Sequence, residues 1–335
     1  MYDGLIFGNG LTLNLLFQIR EKVSEEKRYL FSIDEFMKYF YEGRLSPRED
    51  DIVFYSFYKN KDQLNLKYYS TIKEKFKEYY QRHNGNIEYH FGIIVFDEEK
   101  ADYDLGTIKD LFPVFYNVWY CVLSEYLSYL KLKPYVDRFY SSVYDMVDEQ
   151  ANIWTTNFDK FADSIFPVGH LHGKFVDRIT KYSDIVLYMR NDKEFYFKYI
   201  WGHNGYGKME FIKEHYKKAG NEEYFDFSFF MNEDFIIKNL LIYGFGFQKS
   251  GWTESLRNYK DIYKKPFLGG VIDEHILFRI QSLQKTSKIE NITMSYYKDE
   301  EKEYFNELIE CFDLHNIELV HASEFDFRIE NIKTN

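Results

Sequence analysis

Strand-length apolar runs and segments of helical period take turns through the C-terminal part of the chain, and this alternation restricts the fold more than any other feature. Residues 239–243, Asn-Leu-Leu-Ile-Tyr, form an apolar run that ends in Gly244-Phe245-Gly246. Asp273 stands where an N-cap belongs, ahead of a helix predicted to reach about Leu283. Residues 292–297 then read as a strand, 299–312 as an amphipathic helix and 317–320 as a last strand. Strands separated by helices are joined by crossovers, which favours an α/β fold: a Rossmann-like, mostly parallel sheet with helices on both faces.

The N-terminus follows the same grammar. Residues 5–7 are apolar, Gly8-Asn9-Gly10 makes a tight turn, and residues 11–23 have helical spacing. A strand, a glycine turn and a helix in that order bring backbone N–H groups and the positive helix end to a phosphate or ribose. The full dinucleotide fingerprint would require glycine where Leu13 stands, so an ordinary strand-to-helix turn and a nucleotide loop both fit. Asn9 adds a side-chain amide able to bond either ligand group.

Between these ends lies the densest group of polar side chains. Residues 152–156 read as a strand whose end carries Thr156, Asn157 and Asp159, where an open α/β sheet places its ligand. The apolar run 165–168 is expected to be a second strand, delivering His170, His172 and Gly173 to the same edge. Amide, carboxylate and imidazole together can make a preorganised polar wall with a base near water or a hydroxyl. Read for structure alone, Asn157 closes an Asx turn, Asp159 caps a helix starting at Lys160, and both histidines bond backbone.

Residues 21–149 are mainly helical in period and form a large insertion after the first strand. Domain boundaries are accordingly 1–20 with 150–335 for the Rossmann part and 21–149 for the insertion. Ser32-Ile-Asp-Glu35 is a capping box opening a helix to Tyr41, and residues 69–83 and 111–132 are further helices. Short strands are predicted at 89–96 and 185–189. A helix is expected over 209–218, after a glycine-punctuated loop bearing His203.

Composition removes several classes of function. A net charge of −11 over 335 residues disfavours nucleic acid or an anionic membrane as the main partner, since phosphate contacts need clustered Lys and Arg. Aromatics reach 21%, for which biased codon usage is a simpler source than an aromatic-lined binding surface. Only two cysteines, Cys121 and Cys311, are present, too few for a four-cysteine zinc site, and they are expected to be buried reduced thiols. With no bilayer-length apolar run and no basic leader, the expectation is a soluble cytoplasmic protein.

Four motifs, Gly8-Asn9-Gly10, Thr155-Thr-Asn-Phe-Asp159, Leu171-His-Gly173 and Ile242-Tyr-Gly-Phe-Gly246, together resemble the sirtuin-like NAD-consuming domains of bacterial anti-phage and abortive-infection proteins. The resemblance covers residues 1–20 and about 150–321. It implies hydrolysis of the nicotinamide–ribose bond of NAD+, giving ADP-ribose and nicotinamide, with NAD+ as substrate and no zinc. Asn157 would contact ribose or position water, His172 would be the catalytic base and Asp159 would assist. Gly8, Asn9, Gly10, Thr156, Gly244, Phe245 and Gly246 would bind the cofactor. Restraint of so toxic an activity by a regulatory partner protein or by homo-oligomerisation is also implied. In place of the Ser-Leu and nearby Asp-x-His of relatives stands Phe247-Gln-Lys-Ser-Gly-Trp252, with Asp273-Glu-His275 well downstream. A non-catalytic NAD or ADP-ribose sensor and an ADP-ribosyl or deacyl transferase are the alternatives.

Overall fold

A computed structural model of the chain describes residues 1–60, 66–82, 106–157, 159–171, 174, 226, 228–247, 273–327 and 329. Its strands are β1 (Tyr2–Phe7), β2 (Val147–Thr155), β3 (Gly169–His170), β4 (Ile237–Tyr243), β5 (Ile289–Tyr296) and β6 (Ile317–His321). They form one six-stranded sheet in the order β3-β2-β1-β4-β5-β6, and every neighbouring pair is parallel. The chain builds outward from β1 through β2 to β3, then returns to lay β4 on the other side of β1. This is the strand order of a doubly wound dinucleotide fold, whose ligand crevice lies at the carboxyl ends where the order reverses. Phe7 is level with Thr155 on one side and with Tyr243 on the other, so the three central strands end at one edge.

Two compact units divide the chain: Met1–Leu15 with Pro134–Lys174 and Glu194–Asn335, and Leu16–Lys133 with Phe175–Lys193. The first unit holds the whole sheet. Parallel strands are covered on both faces and read as near-continuous apolar runs, as Leu5, Ile6 and Phe7 and Leu240 to Tyr243 do, all buried. Successive side chains alternate in face. Ile6 and Ile242 join the cluster formed with Ile276, Leu277, Ile280 and Leu283 of the helix Glu274–Lys285. Each such fully buried aliphatic contributes about 1.5–3 kcal/mol. Phe7 and Tyr243 point to the other face, where Phe7 meets Tyr140 at 6.3 Å and Tyr243 meets Phe327 at 5.0 Å.

Numbered in chain order, the helices are α1 (Asn9–Arg20), α2 (Ile33–Tyr41), α3 (Pro47–Asn60), α4 (Leu66–Arg82), α5 (Gly106–Tyr129), α6 (Lys133–Tyr144), α7 (Ser228–Met231), α8 (Glu274–Lys285) and α9 (Asp299–Cys311). Helices α2 to α5 belong to the second unit, with a 3-10 helix at Glu25–Phe31. Its core is aromatic: the Phe40 ring lies 5.0 Å from Phe115, 5.4 Å from Phe76 and 6.0 Å from Phe57. Edge-to-face and tilted pairs of this kind add about 0.5–1.5 kcal/mol each beyond area burial. Much of the aromatic content is therefore spent on packing. No helix among the described residues is long and apolar enough to cross a membrane.

Several local expectations change. Residues 165–168 are not a strand, and β3 consists of Gly169 and His170 alone. Asp273 occupies the N-cap position of α8 with φ 63°, yet its side chain makes no capping hydrogen bond. Helix α6 lies within the stretch of helical period, just past the end predicted at residue 132 for the helix before it. It begins after Lys131 takes φ 54° and carries Pro134 in its first turn, where the missing N–H is no loss. Cys311 is exposed and Cys121 half-buried, so neither is a fully buried thiol. The predicted strands at 89–96 and 185–189, the loop with His203 and the helix at 209–218 lie outside the described residues.

Candidate functional site

At the carboxyl edge the ladder continues past the strand ends. Gly8 N–H donates to the Tyr243 carbonyl at 2.8 Å, Gly10 N–H to the Gly244 carbonyl at 2.9 Å, and Thr156 N–H to the Phe7 carbonyl at 3.2 Å. The backbone approach is close enough to require glycine. A Cβ on Gly10 would stand 2.7 Å from the Gly244 Cα, and one on Gly244 would stand 2.6 Å from the Leu11 nitrogen. Gly244 also has φ +76°, which L side chains rarely adopt. Gly8, Gly10 and Gly244 are thus brought together at the switch point, each accounted for by the other backbone. Asn9 is exposed at the start of α1, Gly246 is half-buried, and Thr156 is buried. Phe245 is 4% exposed and stacks on Phe247 at 5.0 Å within the apolar cluster, so its ring faces the core.

Asn157 and Asp159 meet through a residue far from them in sequence. Thr12, on the second turn of α1, is 3% exposed and bonds three ways. Its hydroxyl donates to Asp159 Oδ2 at 2.8 Å and accepts from Asn157 Nδ2 at 2.9 Å, with the Tyr140 hydroxyl 3.1 Å away. Asn157 is 5% exposed, and its N–H donates to the Thr155 hydroxyl, which closes the turn leaving β2. Its Oδ1 is shielded from solvent and has no hydrogen-bond partner among the described residues. A buried acceptor left in that condition costs about 1–3 kcal/mol, which a donor arriving with a ligand would offset.

Asp159 does not cap a helix at Lys160; its Oδ1 accepts from Phe161 N–H at 3.2 Å in a local turn. Burial raises its carboxyl above the usual carboxylate range, opposed by the Thr12 and Phe161 bonds and the His170 ring and reinforced by Asp163. His170, level with Thr155 in β3, is buried; its Nδ1–H donates to the Asn157 carbonyl at 2.9 Å, and its Nε2 faces Asp163 Oδ1 at 3.0 Å. Lys174 Nζ is 3.9 Å from the other oxygen of Asp163. His170 therefore holds the main chain of Asn157 from below. His172 and Gly173 lie outside the described residues.

On the other side of Gly10, the Tyr297 hydroxyl donates to the Gly10 carbonyl at 3.1 Å. Asn14 Nδ2 reaches the Tyr243 hydroxyl at 3.4 Å. Burial is the main cause that pushes both phenols above their ordinary value, so both remain neutral at physiological pH. Among the described residues no group of three or more His, Cys, Asp or Glu could hold a metal ion.

Thr12 and Tyr140 were not singled out from sequence. Thr12 carried a signal, a polar residue at i−3, i−4 and i−7 to the buried Leu15, Leu16 and Ile19 of an otherwise apolar stripe. Tyr140, one of 32 tyrosines, carried none. No protein-family model, no curated protein and no solved structure matches the chain.

Proposed function

We propose that the chain binds NAD+ across the β1–β4 switch point and hydrolyses the bond between nicotinamide and ribose. In the reaction, water attacks the ribose carbon as the carbon–nitrogen bond breaks. The electron pair leaves with nicotinamide, which departs neutral, and the water proton passes to a base. ADP-ribose, nicotinamide and a proton are the products. The observation that carries the reading is the Asn157 carboxamide: buried at the end of β2, held by Thr12, with its oxygen lacking a partner among the described residues. A polar group fixed before the substrate arrives stabilises developing charge without reorganising. The strand order, and the start of α1 beside its glycines, support a dinucleotide at this edge.

Within this proposal Asn157 contacts the ribose or the attacking water, and His172 takes the proton. Both Asp159 oxygens are already engaged by Thr12 and Phe161, which suits a supporting role through Thr12 better than that of base. Gly8, Gly10 and Gly244 bring the start of α1 against the end of β4, so that its first N–H groups and Asn9 face the pyrophosphate. The biological setting follows from the resemblance: depletion of NAD+ in anti-phage defence, restrained by a partner protein or by self-association.

Nicotinamide release from NAD+ by the purified full chain, followed by chromatography in the presence of lysate from infected cells, tests the proposal. Release by the wild type and a loss of about 100-fold or more in Asn157→Ala is the expected result, the scale of removing one preorganised polar group. Undiminished release by a folded Asn157→Ala would overturn the site.

A further inference from the structure

A hydroxyl has one hydrogen to give and two lone pairs to offer. At Thr12 the hydrogen goes to Asp159 Oδ2 and the oxygen accepts from Asn157 Nδ2, with the Tyr140 hydroxyl 3.1 Å away. That accounting leaves the Asn157 carboxamide one orientation. A flipped amide would set Oδ1 against an oxygen whose only hydrogen is already committed to a carboxylate. Nothing in the local sequence of Asn157 imposes this choice, since its own turn is closed by Thr155 and its main chain is held by His170.

We propose that Thr12 is a positioning residue that locks the Asn157 carboxamide with its nitrogen inward, so that the site meets its ligand with an acceptor and takes a hydroxyl donor, either a ribose diol or the attacking water. The identity of the ligand rests on the NAD+ reading above; the lock itself does not. Oδ1 is itself shielded from bulk solvent. The lock belongs to a small charged cluster. Around Asp159 stand Thr12, His170 from β3 and Asp163 from the chain between β2 and β3, with Tyr140 of α6 on Thr12 and Lys174, beyond β3, beside Asp163; protonation of Asp159 would release the Thr12 hydrogen to the amide oxygen.

The test uses the full chain carrying 15N-labelled asparagine side chains, with the Asn157 resonance identified by its loss in Asn157→Ser. Slow exchange of the Asn157 side-chain protons is expected in the wild type and in Thr12→Ser. In Thr12→Val, which keeps the shape and removes the hydroxyl, exchange is expected to be roughly tenfold faster. Thr12→Ala gives the same readout if the valine variant does not fold. Nicotinamide release should fall at least about tenfold in the variants lacking the hydroxyl and recover in Thr12→Ser. Unchanged exchange in a folded Thr12→Val or Thr12→Ala would overturn the lock. A wild type that shows the exchange signature but releases no nicotinamide would support the lock and defeat the NAD+ reading.

Discussion

Asn157 has value to the proposed chemistry only because three side chains agree about where it points. Thr12 holds its nitrogen, His170 holds its carbonyl, and Thr155 holds its N–H. Asp159 ties Thr12 down, and its carboxyl, raised chiefly by burial, gives this arrangement a pH dependence with a definite sign. A folded-state value above the unfolded one means that stability is fully present below the unfolded value of about 3.9 and is lost as pH rises through the folded value. Asp159→Asn keeps an acceptor for Thr12 and removes the titration. Urea unfolding from pH 4 to pH 8 should therefore show stability falling more with pH in the wild type than in Asp159→Asn. Equal slopes would mean that the carboxylate is solvated in the folded chain.

Elements are fixed by short-range devices that differ in how plainly they show in sequence. Ser32 caps α2 by accepting from the Glu35 N–H, as its capping box announces. A second box opens α3: Ser46 accepts from Glu49 N–H, and Glu49 accepts from Ser46 N–H and from the Tyr29 hydroxyl. Burial alone would raise the Glu49 carboxyl, but these bonds and the Lys27 charge outweigh it and hold it below its ordinary range. A depressed carboxyl stabilises above the unfolded value of about 4.3 and loses that effect as pH falls through the folded one. Glu49→Gln should cost about 1.5–3 kcal/mol at pH 7, and the gap to wild type in urea unfolding should close as the solution is acidified. Between α7 and α8 the same task falls to Arg279, 1% exposed, whose guanidinium donates to the carbonyls of Phe229 and Asn232 and pairs with Glu233. At the β4 end, Gly244→Ala meets both a left-handed φ and the Leu11 nitrogen. A loss of more than about 1 kcal/mol is expected, read as a lowered urea midpoint. An unchanged midpoint would show that β4 and α1 move apart at no cost.

Across the whole molecule, what reached the surface of the sequence was whatever depends on neighbours in the chain. Alternation of apolar runs and helical period determined the α/β class and parallel strands, because burial on both faces and crossover connections leave that imprint locally. The edge residues Asn157 and Gly244 were legible for the same reason: polar groups or glycines directly after an apolar run need some explanation. Local signals also misled, as at residues 165–168, an apolar run that packs as irregular chain. Strand order was decided elsewhere, by the return of β4 to the free side of β1. So was the meaning of the glycines, which admit one another's backbone, and the company of Asn157, whose partner Thr12 is 145 residues away. Sequence by itself determined the elements and a strand end rich in polar groups. Only the tertiary structure decided which hydroxyl meets which amide, because a hydrogen bond is chosen by position in space and a chain of helices and strands can bring any two of its distant residues to within 3 Å.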